Sequence, residues 1–222
     1  MNSDVCVRAA LAALLCVVVS GCATTRSEIK LASPTVAAAS SAPTSGRTAV
    51  IRSVKDERVF AESPSDPSTA SLGLEGASNA SAEVKARAVG RKRNTYGKAL
   101  GDLQLESGQT VESVVRDNTS VALKQAGYDV NANVADAGSS PLVIDIHVKE
   151  FWAWLRPGFW AITLNSKIAT DFDVSAATAP LRVGGVAEEQ TAMATDSVWM
   201  EVIDTALKDF RAQVASKLAV KT

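Results

Sequence analysis

An α+β fold is predicted for this 222-residue chain, with a largely antiparallel mixed β-sheet packed against two amphipathic α-helices. Three patterns predict it. Leu142, Ile144, Ile146 and Val148 alternate with Val143, Asp145, His147 and Lys149. After an Arg156-Pro157-Gly158 turn, a second run carries Trp160, Ile162, Leu164, Ile168, Phe172 and Val174 on one parity. Two such runs read as an antiparallel hairpin with one face on a core. From Thr110 to Ala126, and again from about Ser197 to Ala219, apolar residues instead recur at the helical period. A one-faced sheet and amphipathic helices need each other to bury their apolar faces, so they are predicted to form layers around one core.

In chain order, the first feature is an apolar stretch from Ala9 to Val19, closed by Val19-Ser20-Gly21-Cys22. A short polar start, an apolar segment of about 7–15 residues and small residues before a cleavage site make a secretory signal over residues 1–21. The stretch is too short to span a bilayer, which takes about 20 residues. Small residues directly before a cysteine resemble a bacterial lipobox. That resemblance implies a diacylglyceryl thioether on Cys22, cleavage before it, and acylation of the new amino group. A cleavable signal without lipid and a buried core helix compete with this reading.

Residues 22–47 are rich in Ala, Ser, Thr and Pro and are expected to form a lipidated flexible tether, with a reach of about 25–30 Å. A loosely packed N-terminal arm is the competing reading. The folded domain is expected over residues 48–222. Its first strand is Thr48 to Val54, bounded by the charged Lys55-Asp56-Glu57-Arg58. Residues 61–82, rich in Ser, Pro, Gly and Asp, are expected to be a mobile insertion. Glu83 to Val89 reads as a weak strand. Thr110 to Ala126 is a helix with Thr110 as N-cap and Gly127 at C′, its apolar side flawed by Asn118. Tyr128 to Val130 is a short strand. The hairpin and a third strand, Leu181 to Met193, follow, with Gly184-Gly185 marking a bulge or a close approach. The last helix carries Trp199, Ile203, Ala206, Phe210, Val214 and Leu218 on one stripe, capped by Asp196 or Ser197.

Composition removes several classes of function. The net charge of −1 carries no nucleic-acid signature. Cys6 and Cys16 leave with the signal and Cys22 is consumed by lipid, which removes disulfides, thiolate metal sites and cysteine nucleophiles. His147 is the single histidine, which removes multi-histidine metal sites. No cofactor or metal is expected. Asp145, His147 and Lys149 share a strand face where an acid-base role competes with a solvated polar face. Nothing supplies a nucleophile beside them, so no enzyme is expected.

Two clusters remain as candidate binding sites. The basic run Lys85, Arg87, Arg91, Lys92, Arg93 and Lys98, followed by Asn94-Thr95-Tyr96-Gly97, offers phosphate contacts from Arg91, Lys92 and Arg93 with Tyr96 beside them. An ordinary solvated loop is the competing reading. Phe151, Trp152, Trp154, Phe159 and Trp160 crowd one hairpin end, suited to stack on a sugar, sit at a bilayer interface or anchor a protein. Trp152 and Trp154 share the parity of Ile146 and Val148, so closure of the core is the competing reading for Trp152 and Trp160. Trp154 and Phe159, nearest the turn, are the stronger binding candidates.

The lipobox ending in Cys22, Asp56-Glu57-Arg58, the run Val89 to Gly97 leading to Leu100-Gly101-Asp102, the helix ending Ala126-Gly127-Tyr128 and the strand Leu142 to Val148 together resemble the YajG-like lipoproteins of Gram-negative bacteria. This chain departs from their shorter pattern in residues 61–82. The resemblance implies a periplasm-facing lipoprotein and supplies no catalytic residues. Ala23, a residue other than Asp after the lipidated cysteine, resembles the sorting signal for the outer membrane. The expected function is that of a non-enzymatic cell-envelope lipoprotein, held by its N-terminal lipid and binding a protein partner or a lipid or glycan component of the envelope. An auxiliary lipoprotein of a lipid, lipopolysaccharide or efflux transport system is the alternative, and it calls for an apolar groove between the helices and the sheet.

Overall fold

A computed structural model describes residues 26–35, 46–73, 76–94, 98–158, 160–175 and 177–219. The signal segment, Cys22, Tyr96 and Phe159 lie outside them. Among the described residues, one mixed sheet contains eight strands: β1 Ser27–Ile29, β2 Arg47–Asp56, β3 Ala88–Arg93, β4 Ala99–Leu105, β5 Tyr128–Asn131, β6 Leu142–Pro157, β7 Ile162–Val174 and β8 Leu181–Thr191. The helices are α1 Gly76–Asn79, α2 Ala82–Arg87, α3 Val111–Gln125 and α4 Asp196–Leu218. The α+β class stands. The count of two helices does not, because the short α1 and α2 precede the two long amphipathic ones.

The 16-residue β6 is the spine of the sheet. Along one edge it pairs antiparallel with β7, from Ile144 opposite Val174 to Pro157 opposite Ile162, and β7 pairs antiparallel with β8. This is the hairpin and third strand that the alternation predicts. The other edge is divided between two partners. Its first half runs parallel to β2, and its second half meets β3 at Gly90 opposite Ala153. A Cβ on Gly90 would lie 2.8 Å from the Ala153 carbonyl oxygen, so this junction needs glycine. Outside β2 lies β5; outside β3 lie β4 and then β1.

Helices α3 and α4 contribute to the same core as the inward residues of the sheet. Ile144, Ile146, Leu164, Ile168 and Phe172 are buried with Trp199, Ile203 and Phe210, each full burial contributing about 1.5–3 kcal/mol. Helix α3 starts in a capping box, Thr110 accepting from the Ser113 amide and Ser113 from the Thr110 amide. The N-cap position of α4 is Thr195 rather than Asp196 or Ser197. Asn118 is 2% exposed, and its presence on an apolar stripe has a reason. Its side chain donates to the Val114 carbonyl at 2.8 Å and accepts from Arg211 of α4, which ties the two helices together. Gly184-Gly185 is a close approach and not a bulge, because the β7–β8 register runs without a shift while a Cβ on Gly185 would lie 2.1 Å from the Ala206 carbonyl oxygen.

Three expectations require correction. The flexible tether over 22–47 includes strand β1, which pairs parallel with β4 and buries Ile29 and Leu31 against the core. Two apolar side chains and a short ladder tie down residues 26–35, whose composition otherwise reads as coil. The described part of the insertion at 61–82 is packed: Leu72 is 2% exposed, Asp66 accepts from the Ser68 amide, and Glu62 accepts from the amides of Ala77 and Ser78 at the start of α1. The weak strand at Glu83–Val89 is mostly α2, because Ser81 accepts from the Val84 amide as an N-cap and the strand begins only at Ala88.

Candidate functional site

The site follows from an irregularity in β6. Between Val148 and Glu150 the β6–β7 register shifts, and a bulge of this kind moves every later side chain to the opposite face. Ile144, Ile146 and Val148 face the main core before it; Phe151, Ala153 and Leu155 do so after it. Trp152 and Trp154 therefore lie on the other face, in a second cluster with Leu72, Ala80 and Ala88, flanked by Phe60, Ala70 and Val84. The parity expected for the two tryptophans holds only for an unbulged strand. Phe60 meets Trp152 edge-on with ring centres 6.1 Å apart, and the Trp152 indole donates to the Pro67 carbonyl at 3.3 Å.

This arrangement reassigns the aromatic candidates. Trp154 is 8% exposed, so its ring serves as a wall and has no open stacking face. Trp160 is 91% exposed and does not close the core. Trp152 and Trp154 instead line a groove of about 470 Å³ whose walls include Val59, Ser68, Thr69 and Ala70 and whose charged members are Glu57, Arg58, Lys149, Glu150 and Lys167. Its size suits a small ligand or a partner's protruding side chains. Val59 stands 83% exposed at its edge. A smaller hollow of about 300 Å³ adjoins it, sharing Trp154 and Lys167 and reaching Val186 and Glu188 of β8.

Arg58 holds the groove's inner wall. Its guanidinium fills the notch where the edge of β6 passes from β2 to β3, donating to the carbonyls of Phe151, Ala88 and Lys85 and forming a two-pronged pair with Asp56 at 2.7 Å. Glu57, the next residue back, points to the outer rim. It accepts from Lys149 and contacts His147 Nδ1 at 2.6 Å, while His147 Nε2 lies 3.2 Å from Asp173. The Lys149 hydrogen bond, and secondly that of His147, hold the Glu57 carboxyl at about 2. The same pairing raises Lys149. Glu150 and Lys167 pair at 2.8 Å. Asp145 is lowered, first by its hydrogen bond from Arg52. Both nitrogens of His147 thus face carboxylates, in an ion-pair lattice of alternating sign across the sheet. Among the described residues no group of His, Cys, Asp and Glu is arranged to hold a metal ion, and no helix is long and apolar enough to cross a membrane.

The basic run is divided rather than gathered. Lys92 turns to Asp196 at the start of α4 and to Ser27 of β1. Arg87 donates to the Leu105 carbonyl and pairs with Glu28. Arg91 donates to Ser71 at 3.2 Å, while Arg93 pairs in register with Ala99 beside Lys98. Sequence reasoning missed Glu57, Arg58, Val59 and Lys167 as groove residues. The available signal was the charged triplet Asp56-Glu57-Arg58 at a strand's end; the spatial reason for it, the divided edge of β6, is long-range.

Neither a family model nor a curated protein matches this sequence. A solved structure described as that of an uncharacterized protein is similar at 12% identity, covering 87% of this chain and 99% of that chain with a TM-score of 0.41. That likeness is too loose to carry an argument about fold or function.

Proposed function

We propose that this chain is a non-enzymatic cell-envelope lipoprotein of the YajG-like kind, anchored through Cys22 at the periplasmic face of the outer membrane. Its domain binds a partner protein or an envelope component in the groove beside Trp152 and Trp154. The observation that carries the binding role is the groove itself, with an apolar wall set against carboxylates and ammonium groups and an exposed Val59 at the edge. Such a combination of apolar anchor and polar rim suits recognition. The lipobox supports the location. The transport alternative lacks a comparable observation, because the space between helices and sheet, where it calls for a groove, is filled by Trp199, Ile203, Phe210 and their neighbours.

The test pairs two measurements on the full chain expressed in a Gram-negative host. The mass of the mature protein is expected to equal the chain from Cys22 onward plus its acyl groups. A photocrosslinking residue at Val59 is expected to capture a specific envelope component, while the same residue at Val134, 44% exposed and just beyond the opposite edge strand, captures none. An unmodified Cys22 would sink the anchoring, and identical capture at both positions would sink the groove.

A further inference from the structure

The sheet ends at β8 with only half of its last edge closed. Strand β8 pairs with β7 alone, in a register that runs without a shift from Phe172 opposite Leu181 to Ile162 opposite Thr191. Along such a strand the N–H and C=O of one residue point to the same side, and those of the next residue to the other. Helix α4 shows which residues turn outward. Its Asp209 carboxylate accepts from the Val186 amide at 3.0 Å, and its Lys217 donates to the Arg182 carbonyl. Even-numbered residues therefore carry the outer edge, and α4 closes the half that ends at the Val186 amide. Among the described residues no such bond reaches the main chain of Glu188 or Gln190. From Val186 to Gln190 the edge runs about 13 Å, four strand steps, with its outward donors and acceptors unmet beyond that amide.

Charge says what fits there. Glu188 is exposed and Glu189 half-buried, and among the described residues neither carboxylate has an ion-pair or hydrogen-bond partner. Nearby cations are engaged elsewhere, Lys167 by Glu150 and Lys208 by Asp204. Glu188 also lines the hollow of about 300 Å³ that Trp154 and Val186 share. An arginine or lysine brought to it would lay its stem on apolar surface and its head against a carboxylate. A second copy of this chain fits poorly, because antiparallel pairing of the open half with itself sets Glu188 opposite Glu188, and like charges directly opposite are destabilising. We propose that the open half of the β8 edge, Val186 to Gln190, receives an extended basic segment of a partner protein, which adds a further strand to the sheet. Main-chain hydrogen bonds hold the segment, and lysine or arginine side chains opposite Glu188 and Glu189 select it. The proposal rests neither on the lipid at Cys22 nor on the groove beside Trp152.

The experiment titrates the full chain, in non-ionic detergent, with a short peptide repeating Thr-Lys-Lys-Val and separately with one repeating Thr-Glu-Glu-Val, each to millimolar concentration. Amide exchange is read residue by residue. The basic peptide is expected to slow exchange at Glu188 and Gln190 roughly ten-fold and to leave β5, at another edge of the sheet, unchanged. The acidic peptide is expected to slow neither. Glu188→Gln combined with Glu189→Gln is expected to weaken binding of the basic peptide roughly five-fold. Gln190→Pro removes an outward donor at an edge position, where proline is tolerated, and is expected to weaken binding roughly ten-fold. If Gln190→Pro does not fold, the double carboxamide variant decides. No protection by the basic peptide would overturn the strand addition. Equal protection by both peptides, or binding undiminished by loss of both carboxylates, would overturn the basic segment. Protection that needs no peptide and rises with protein concentration would put a second copy on the edge and overturn the partner.

Discussion

Arg58 is a charged residue buried to 1% side-chain exposure, and its surroundings explain why it is tolerated. A strand edge that changes partners leaves carbonyl groups facing no ladder, and a buried carbonyl without a donor costs about 1–3 kcal/mol. The planar fork of arginine reaches the strand carbonyls of Ala88 and Phe151 and the Lys85 carbonyl in α2, while two of its nitrogens remain on Asp56. Arg58→Met is expected to cost about 3–5 kcal/mol, because it strands a carboxylate and three acceptors together. Arg58→Lys is expected to recover little of this, since an ammonium lacks the fork. Urea unfolding of the three proteins measures both. Glu57, one residue away, acts at the surface through pH. Its carboxyl is held at about 2 against an ordinary 4.5, so its contribution is complete above pH 4.5 and is lost as pH falls toward 2. Stability measured from pH 5 down to 2 is expected to fall less steeply in Glu57→Gln than in the unaltered protein; equal slopes would show that the Lys149 and His147 contacts add nothing.

At the scale of elements, the bulge in β6 makes one strand serve two cores. Its first half places even-numbered residues inward and its second half odd-numbered ones. Regular alternation made Leu142 to Val148 readable, and caps made α3 readable to within a residue or two of its ends. The bulge left one sign, the consecutive charges Lys149-Glu150, which would put Glu150 at an inward position of an unbroken alternation; Phe151 to Leu155 is apolar on both parities and so does not fix the new phase, which pairing with β7 enforces. Strand β4 was missed for a related reason. Asp102 and Gln104 are as buried as Leu103 and Leu105, so no solvent face exists to impose polarity at every second position. The glycine pair in β8 was legible as a signal and ambiguous as to cause. Its meaning lies in α4: the backbone of Ala206 and Phe210 occupies the space a side chain at 185 would need. Gly185→Ala is expected to push the helix away and cost about 3 kcal/mol or more, read as a lower melting temperature, whereas a bulge position would accept alanine with little change.

For the whole molecule, the decisive element is the smallest strand. If residues before 48 formed only a spacer, the domain would be free to tumble at the end of a flexible chain. Instead Ile29 and Leu31 are 2% and 4% exposed, the Glu106 amide donates to the Ile29 carbonyl at 2.7 Å, and Gln109 bonds the Leu31 backbone in both directions. Under the proposed anchoring at Cys22, the anchor point would lie within a few residues of the β1 edge of the sheet, and the groove at Trp152 and Trp154 would keep a set distance from the membrane. Ile29→Ala distinguishes the two arrangements. A folded β1 predicts a loss of about 2–5 kcal/mol, as for other buried aliphatic truncations; a spacer predicts a change within about 0.5 kcal/mol, as for exposed sites. The same substitution is expected to speed amide exchange in β4, whose free edge β1 covers, and to leave β7 and β8 unaffected below the global unfolding limit. Equal exchange in β4 with and without the substitution would mean that the strand adds no order to the sheet, and that any lipid on Cys22 holds the domain without orienting it.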